Sequence, residues 1–345
     1  MSTPGAGRAA RLGLGIAAHS FGYLGGFNGA STSRACPTPL DVYRLMDLAN
    51  LNGLSGVEIP SPEYTRGMSE EVLARVRTYA EERDLYFVLD GGVVDVRGIR
   101  GLIDTATALG ARTVRVTASS ILCGDRSAIA ERWPRYIEEL VDRLRAVRNT
   151  AEEAGVSIAV ENHQDLTSGE MADLCSAVGG ENIGTTLDSM NSLAVVEDPL
   201  EYARRLGPLI KHVHLKDYRI YRTPQGFRLV RCAIGAGVLD VGGLFSLLRE
   251  KAPGATVAIE LAALEGRHVR FLEDGYWSGY PARRVEQVLP VLRLRESRAR
   301  PPDEEWRTPW ELGAGHEGLA AYEMSQFEES VAFLRRVDAD DRHSI

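Results

Sequence analysis

Four side chains able to bind a hard cation recur at the ends of successive apolar segments. Glu161 falls in VSIAVEN (156–162), Asp188 closes IGTTLD (183–188), His214 lies near the end of IKHVHLK (210–216), and Glu260 near the end of TVAIEL (256–261). Each segment is short, apolar and β-branched, the pattern of a buried strand. A carboxylate buried alone at the end of such a run costs several kcal/mol. A divalent cation shared by all of them removes that cost. Three carboxylates and one imidazole suit Mn²⁺, Mg²⁺ or Co²⁺, with Zn²⁺ also open. Taken singly, each has an ordinary alternative: carboxylates often follow strands as helix caps, and Asp188 before Ser189 could be one. One such group from each successive strand argues for a shared ion.

Further candidates surround this set. His163 follows Glu161 by two residues, so in an extended segment both share one side of the chain. A neutral imidazole there could move a proton, or could hydrogen-bond a ligating carboxylate. In HVHLKD, alternation puts His212, His214 and Lys216 on one face. His212 reads as deeper and structural. Lys216 is a candidate for an anionic substrate group, with an ion pair to Glu58 as the plainer alternative. His19 and Glu58 end the first and second strands and read as substrate-hydroxyl contacts. Arg115 or Thr117 could reach inward from the fourth. Arg231 could hold a carboxylate. Tyr276, Trp277 and Tyr280 could form an apolar lid, or could simply pin their loop.

The elements that must position these groups follow a regular rhythm. Strands are expected at 12–17, 56–59, 85–90, 112–118, 156–162, 183–188, 210–216 and 256–261. Helices are expected at 39–50 (with Thr38 as a cap), 69–83, 96–109, 129–154, 169–178, 199–206, 241–250 and 282–297. Eight strands, each followed by a helix, predict a closed α/β barrel of the (β/α)8 or TIM type, with the candidate residues on its C-terminal rim. The glycine-rich GLGIAAHSFG lacks the spacing of a dinucleotide fingerprint. Residues 218–233 predict a β-hairpin over the barrel mouth, and 262–281 a long loop beside it. The expected division is a catalytic barrel at 12–298 and a C-terminal extension at 299–345. The extension carries a helix near 317–337 that packs on the barrel or on a neighbouring subunit. Residues 1–10 read as a disordered tail.

Composition narrows the class. The chain has 345 residues, 44% of them apolar, which excludes wholesale disorder and a stapled mini-protein. With 48 acidic and 40 basic residues the net charge is -8, which argues against a nucleic-acid partner. No segment reaches the apolar length of a membrane span or a signal sequence, so a cytoplasmic protein with no membrane partner is expected. Cys36, Cys123, Cys175 and Cys232 have no close pair and read as free thiols. Among 40 basic residues only Lys211, Lys216 and Lys251 are lysines.

VENH, TLDSMN, HVHLKD and AIEL, in that order, resemble the xylose-isomerase-like TIM-barrel superfamily. That group holds sugar isomerases, ketose 3-epimerases, inosose and dehydroshikimate dehydratases and a DNA-repair endonuclease. The resemblance spans about residues 12–298. It implies one divalent metal, commonly manganese, on Glu161, Asp188, His214 and Glu260. It also implies that Glu161 and Glu260 act as the acid–base pair of the epimerase branch. The chain departs from that branch: Asn191 stands where a DxxH histidine is usual, and Gly235-Ala236-Gly237 replaces GEG. HLKDY, GFRLV, DGYWSGYP and EEWRTPWE are similar to 3-oxo-isoapionate decarboxylases and to large subunits of C-glycoside deglycosidases. The shared chemistry is a carbonyl beside a hydroxyl, polarised by the metal toward an enediolate. The expectation is a metal-dependent isomerase or epimerase of a keto-sugar, with decarboxylation of a 3-oxo sugar acid or elimination from a 3-oxo-glycoside as the alternative. A homo-oligomer is expected, and a deglycosidase would add a small companion subunit.

Overall fold

The computed structural model describes residues 12–262 and 264–343. The tail expected at 1–10 lies outside them. In chain order the strands are β1 (Leu14–Ala17), β2 (Gly56–Pro60), β3 (Tyr86–Val93), β4 (Thr113–Thr117), β5 (Ser157–Glu161), β6 (Ile183–Asp188) and β7 (Ile210–Leu215). The hairpin β8 (Asp217–Thr223) and β9 (Gly226–Cys232) follows, then β10 (Thr256–Ile259) and β11 (Arg267–Val269). β1 to β7 and β10 close into a parallel barrel in the order β1-β10-β7-β6-β5-β4-β3-β2. The expected TIM barrel is therefore present. β11 joins the hairpin in a separate antiparallel sheet of order β11-β9-β8.

The helices are α1 (Val42–Leu51), α2 (Glu70–Glu81), α3 (Val96–Leu109), α4 (Trp133–Glu153), α5 (Ser168–Val178), α6 (Pro199–Leu206), α7 (Val241–Lys251), α8 (Val285–Arg298) and α9 (His316–His343). Most begin where a side-chain oxygen can take an otherwise orphaned N–H. Ser69, Asp95, Asp198 and Asp240 do so, and Thr167 with Glu170 forms a reciprocal capping box. The cap of α1 is Asp41, which accepts from Arg44, and not Thr38. The helix expected at 129–154 begins as a 3-10 turn over Ser127–Arg132 and becomes α4 only at Trp133. Pro134 then sits in the first turn, where its missing N–H costs nothing.

The floor of the barrel is filled by Tyr86, whose hydroxyl donates to the carbonyls of Gly13 and Val257. A Cβ at Gly56 would lie 2.4 Å from that ring, so glycine is the residue that lets Tyr86 cross the axis. The candidate ligands lie at the opposite, C-terminal ends of the strands.

The last two helices take positions the periodicity does not separate. α8 lies where the eighth barrel helix is expected in sequence, but its buried Val291 packs with Ile220, Phe227 and Leu229 of the hairpin. Arg295 also binds the Gly226 and Thr223 carbonyls at the hairpin tip. α9 instead packs on the barrel. Phe327, Val331 and Leu334 join the main core, and Phe327 meets Phe21 edge-on. Glu323 accepts the Tyr23 and Leu24 N–H groups, and Ser330 accepts that of Ile234. Among the described residues no helix is long and apolar enough to cross a membrane. All four cysteines are free.

Candidate metal and substrate site

Parallel register brings the candidate ligands together. Asp188 on β6 lies directly opposite His214 on β7, and Glu161 ends β5 opposite Thr186 of β6. One ligand atom from each of Glu161, Asp188 and His214 lies within 4.8 Å of the others. Glu260, one residue past β10, places Oε2 at 3.5 Å from His214 Nδ1, and Glu161 Oε1 lies at 3.6 Å on another approach. Asp188 and Glu161 are fully buried, and His214 and Glu260 nearly so.

Neighbouring groups hold these side chains in place. The Asn162 amide brackets Asp188, accepting its N–H at 2.7 Å and donating to its carbonyl at 3.1 Å. Ser189 bonds both backbone groups of Lys216, which ties β6 to β7. His214 Nε2 lies 2.9 Å from both oxygens of Glu58. Glu58 also meets His212 Nε2 at 2.9 Å, and His212 Nδ1 meets the Thr256 hydroxyl at 2.7 Å. Donation from His214 Nε2 to Glu58 leaves Nδ1 as the lone pair directed at the cluster, the arrangement that orients ligating imidazoles.

The electrostatics suit a cation. Three buried carboxylates converge, and two side chains already compensate them. Lys216 Nζ lies 2.6 Å from both Asp188 and Glu260, and Arg115 pairs with Glu161 and Asp90. Burial would raise Glu161, but Arg115 and His214 hold it well below the usual carboxylate range. Glu260 is likewise held at about 2 by Lys216 and His214 against its burial. Asp188 moves upward through burial and through Glu161 and Glu260, against the pull of Lys216. Burial opposes a proton on His214, yet Glu58 and Glu161 raise it well above its usual value.

The residues fit a divalent ion. His214 Nδ1, Asp188 Oδ2 and Glu161 Oε2 are buried without a hydrogen-bond partner. The two oxygens stand in ion-pair contact with Lys216 and Arg115. These three atoms belong to three of the four expected ligands. Oxygen and imidazole donors of this kind suit Mn²⁺, Mg²⁺, Co²⁺ or Zn²⁺.

A cavity of about 260 Å³ opens above the cluster, lined by His19, Arg115, Glu161, His163, Lys216, Arg231, Glu260 and Arg267 among others. His163 presents an Nδ1 with no partner, and burial holds its imidazole down at about 4, so it is neutral at neutral pH. His19 pairs with Asp90 through Nε2 at 3.0 Å. His19, His163, Lys216 and Arg231 all line the open space.

Two expected substrate contacts do not line this cavity. Glu58 does not line the cavity: it is 1% exposed and engaged by His212 and His214. Lys216 accordingly pairs with Asp188 and Glu260, and not with Glu58. Trp277 does not reach the cavity either. Its indole donates to the Phe271 carbonyl and its ring packs on Tyr276 and Tyr280. Tyr276 and Tyr280 donate to the Ala194 and Gly124 carbonyls, so the trio pins the long loop. Asp90, Asn191 and Arg267 were not anticipated at the centre. Asp90 had a signal, since LYFVLD ends in a carboxylate as the ligand strands do. Asn191 donates weakly to Glu161 at 3.5 Å, from the place where the epimerase pattern carries histidine.

This fold is a closed parallel (β/α)8 barrel with a candidate metal-binding cluster on its rim. Residues 46–274, more than half of the chain, match the xylose isomerase-like TIM barrel family, and the chain belongs to it. Among curated proteins it is 26% identical over 215 residues to the uncharacterised YihM of Escherichia coli K12. That match covers 59% of this chain and 61% of YihM, so it spans less than two-thirds of the relative. It is 22% identical over 219 residues to the 3-oxo-isoapionate decarboxylase of Pectobacterium atrosepticum, covering 63% of this chain and 76% of that one. D-psicose 3-epimerase from Clostridium cellulolyticum superposes with a TM-score of 0.56 at 13% identity, over 83% of this chain and 99% of that one. At that identity the likeness is one of fold.

Proposed function

We propose that the protein is a divalent-metal-dependent isomerase or epimerase of a keto-sugar or keto-sugar derivative, working through an enediolate. The observation that carries this is the convergence of Glu161, Asp188, His214 and Glu260, with His214 Nδ1 buried and unpartnered, beneath a polar cavity of about 260 Å³. A divalent ion held by these residues would polarise a substrate carbonyl and stabilise the charge that develops on it. We take manganese as the first candidate.

The chain's own groups would handle the proton. Glu161 and Glu260 approach His214 Nδ1 from two different strands, so their carboxylates are offered to two sides of one substrate. One would take the proton from the carbon next to the carbonyl and the other return it to the opposite face. His163, neutral and unpartnered at Nδ1, could relay that proton or take it directly. Lys216 stands ready to hydrogen-bond the developing oxyanion.

A second reading is decarboxylation of a 3-oxo sugar acid, the reaction of the Pectobacterium relative. Arg231 in the cavity favours it. There the bond to the carboxyl carbon breaks, CO₂ departs, and its electron pair passes to the neighbouring carbonyl oxygen. A proton then returns to carbon. Ketopentoses, ketohexoses and 3-oxo sugar acids incubated with the Mn²⁺-loaded protein in D₂O separate the two by product mass. Isomerisation or epimerisation keeps the carbon skeleton and takes up carbon-bound deuterium, whereas decarboxylation loses CO₂. No conversion of any compound, with EDTA and Mn²⁺ making no difference, would sink both readings.

A further inference from the structure

Three arginines with buried side chains are paired with acids, whereas Arg219, which does not line the cavity, has no such partner among the described residues. Arg115 meets Asp90 and Glu161, Arg126 meets Glu170, and Arg283 meets Glu197. Arg231 and Arg267 break that pattern. Both line the cavity, both have a buried Nε with no hydrogen-bond partner, and neither forms an ion pair with any acidic side chain among the described residues. Arg231 is only 7% exposed. Its Nη1 donates to the Ala262 carbonyl at 2.7 Å, and its guanidinium lies 5.8 Å from the Tyr218 ring centroid. Glu265 shares the cavity with Arg267 but is exposed and within ion-pair distance of neither arginine.

The secondary structure aligns the pair. On β9, Arg231 lies two residues from Leu229, and Leu229 is the register partner of Arg267 on β11. The two arginines are therefore diagonal neighbours on one face of the small sheet, close enough to act on one ligand. Burial and the neighbouring Arg231 both depress the Arg267 guanidinium, while Arg231 itself, against its burial, is raised by Tyr218, Glu260 and Asp188. Two neighbouring guanidinium groups without a directly paired acid, one buried and one half-buried, favour an anion between them.

We propose that the hairpin side of the cavity is a carboxylate subsite, in which Arg231 and Arg267 together bind the carboxylate of a keto-sugar acid whose carbonyl end lies at the Glu161–Glu260 cluster. With Nη1 of Arg231 committed to Ala262, its remaining Nε–Nη2 edge offers two parallel donors. That fork matches the two oxygens of a carboxylate. This deepens the reading of the cavity as a keto-sugar site and rests on it.

Calorimetric titration with fructuronate, fructose and fructose 6-phosphate tests the subsite, because the three differ only at carbon 6. Fructuronate is expected to bind the Mn²⁺-loaded protein at least tenfold more tightly than fructose. Arg267→Gln, whose side chain has no partner to lose, should cut that preference at least fivefold with circular dichroism and melting temperature unchanged. Arg231→Gln should abolish it. Equal binding of fructuronate and fructose, tighter binding of the phosphate ester, no binding of any of the three, or a preference that survives both substitutions would overturn the proposal. The same titrations on EDTA-treated protein, with Mn²⁺ itself as a further titrant, keep the two claims apart. A uronate preference without Mn²⁺ binding supports the subsite and sinks the metal reading. Mn²⁺ binding without the preference does the reverse.

Discussion

His214 has one ring nitrogen committed to Glu58 and the other facing Glu161 and Glu260 without a hydrogen bond, and that asymmetry organises the centre. Glu58 does not line the cavity above the cluster, yet it sets which nitrogen faces the carboxylates. Glu58→Gln keeps the volume and loses the charge. We expect it to weaken Mn²⁺ binding by about 10–100-fold, the usual cost of removing a partner that orients a metal ligand. Unchanged affinity by calorimetry would count against the orienting role. His163→Gln makes the complementary case. It should leave Mn²⁺ affinity within about twofold and lower kcat by about 10²–10⁴, the range of a lost proton-transfer group. The candidate ligands were legible because each falls at or near the end of its own apolar run. Glu58 was legible as a rim residue but not as an orienting one, because its partner His212 lies 154 residues away and only barrel closure joins them.

At the scale of elements, Asp217 shows how the hairpin is attached. Strand alternation turns its side chain away from the Lys216 face, and there its carboxylate accepts five backbone N–H groups. These are Tyr218, Gly235, Gly237, Val238 and Leu239. A Cβ at Gly237 would lie 2.2 Å from Asp217 Oδ1, which accounts for a glycine there. The Gly235-Ala236-Gly237 run thus has a local structural reason in this chain. Asp217→Ala leaves several of those donors unmet and should cost about 2–4 kcal/mol by denaturant melting. A loss below about 0.5 kcal/mol would mean that water replaces the carboxylate. The elements themselves were largely legible because strand and helix periods alternate cleanly. The role of α8 was not. Its apolar residues suit either a barrel wall or a hairpin, and periodicity reports an apolar face without naming what covers it.

At the scale of the whole molecule, the C-terminal segment is woven into the barrel. Glu323 and Ser330 of α9 each take backbone N–H groups from loops at the barrel ends, and Phe327 is fully buried. The intervening residues strap the mouth. Thr308 donates to the Leu264 carbonyl, and Arg34 and Arg228 lie over Trp310 and Trp306 at 3.7 Å. Phe327→Ala should cost about 3–5 kcal/mol. A chain ending at residue 298 should lose its cooperative thermal transition, whereas an independent tail would leave that transition in place. The proposed chemistry requires one divalent ion per chain. Its most direct test is metal analysis of the purified protein after Mn²⁺ loading and desalting, alongside Asp188→Asn and His214→Ala. We expect close to one Mn²⁺ per wild-type chain and almost none in either variant. A wild-type protein that retains no divalent ion, or variants that retain as much as the wild type, would contradict it.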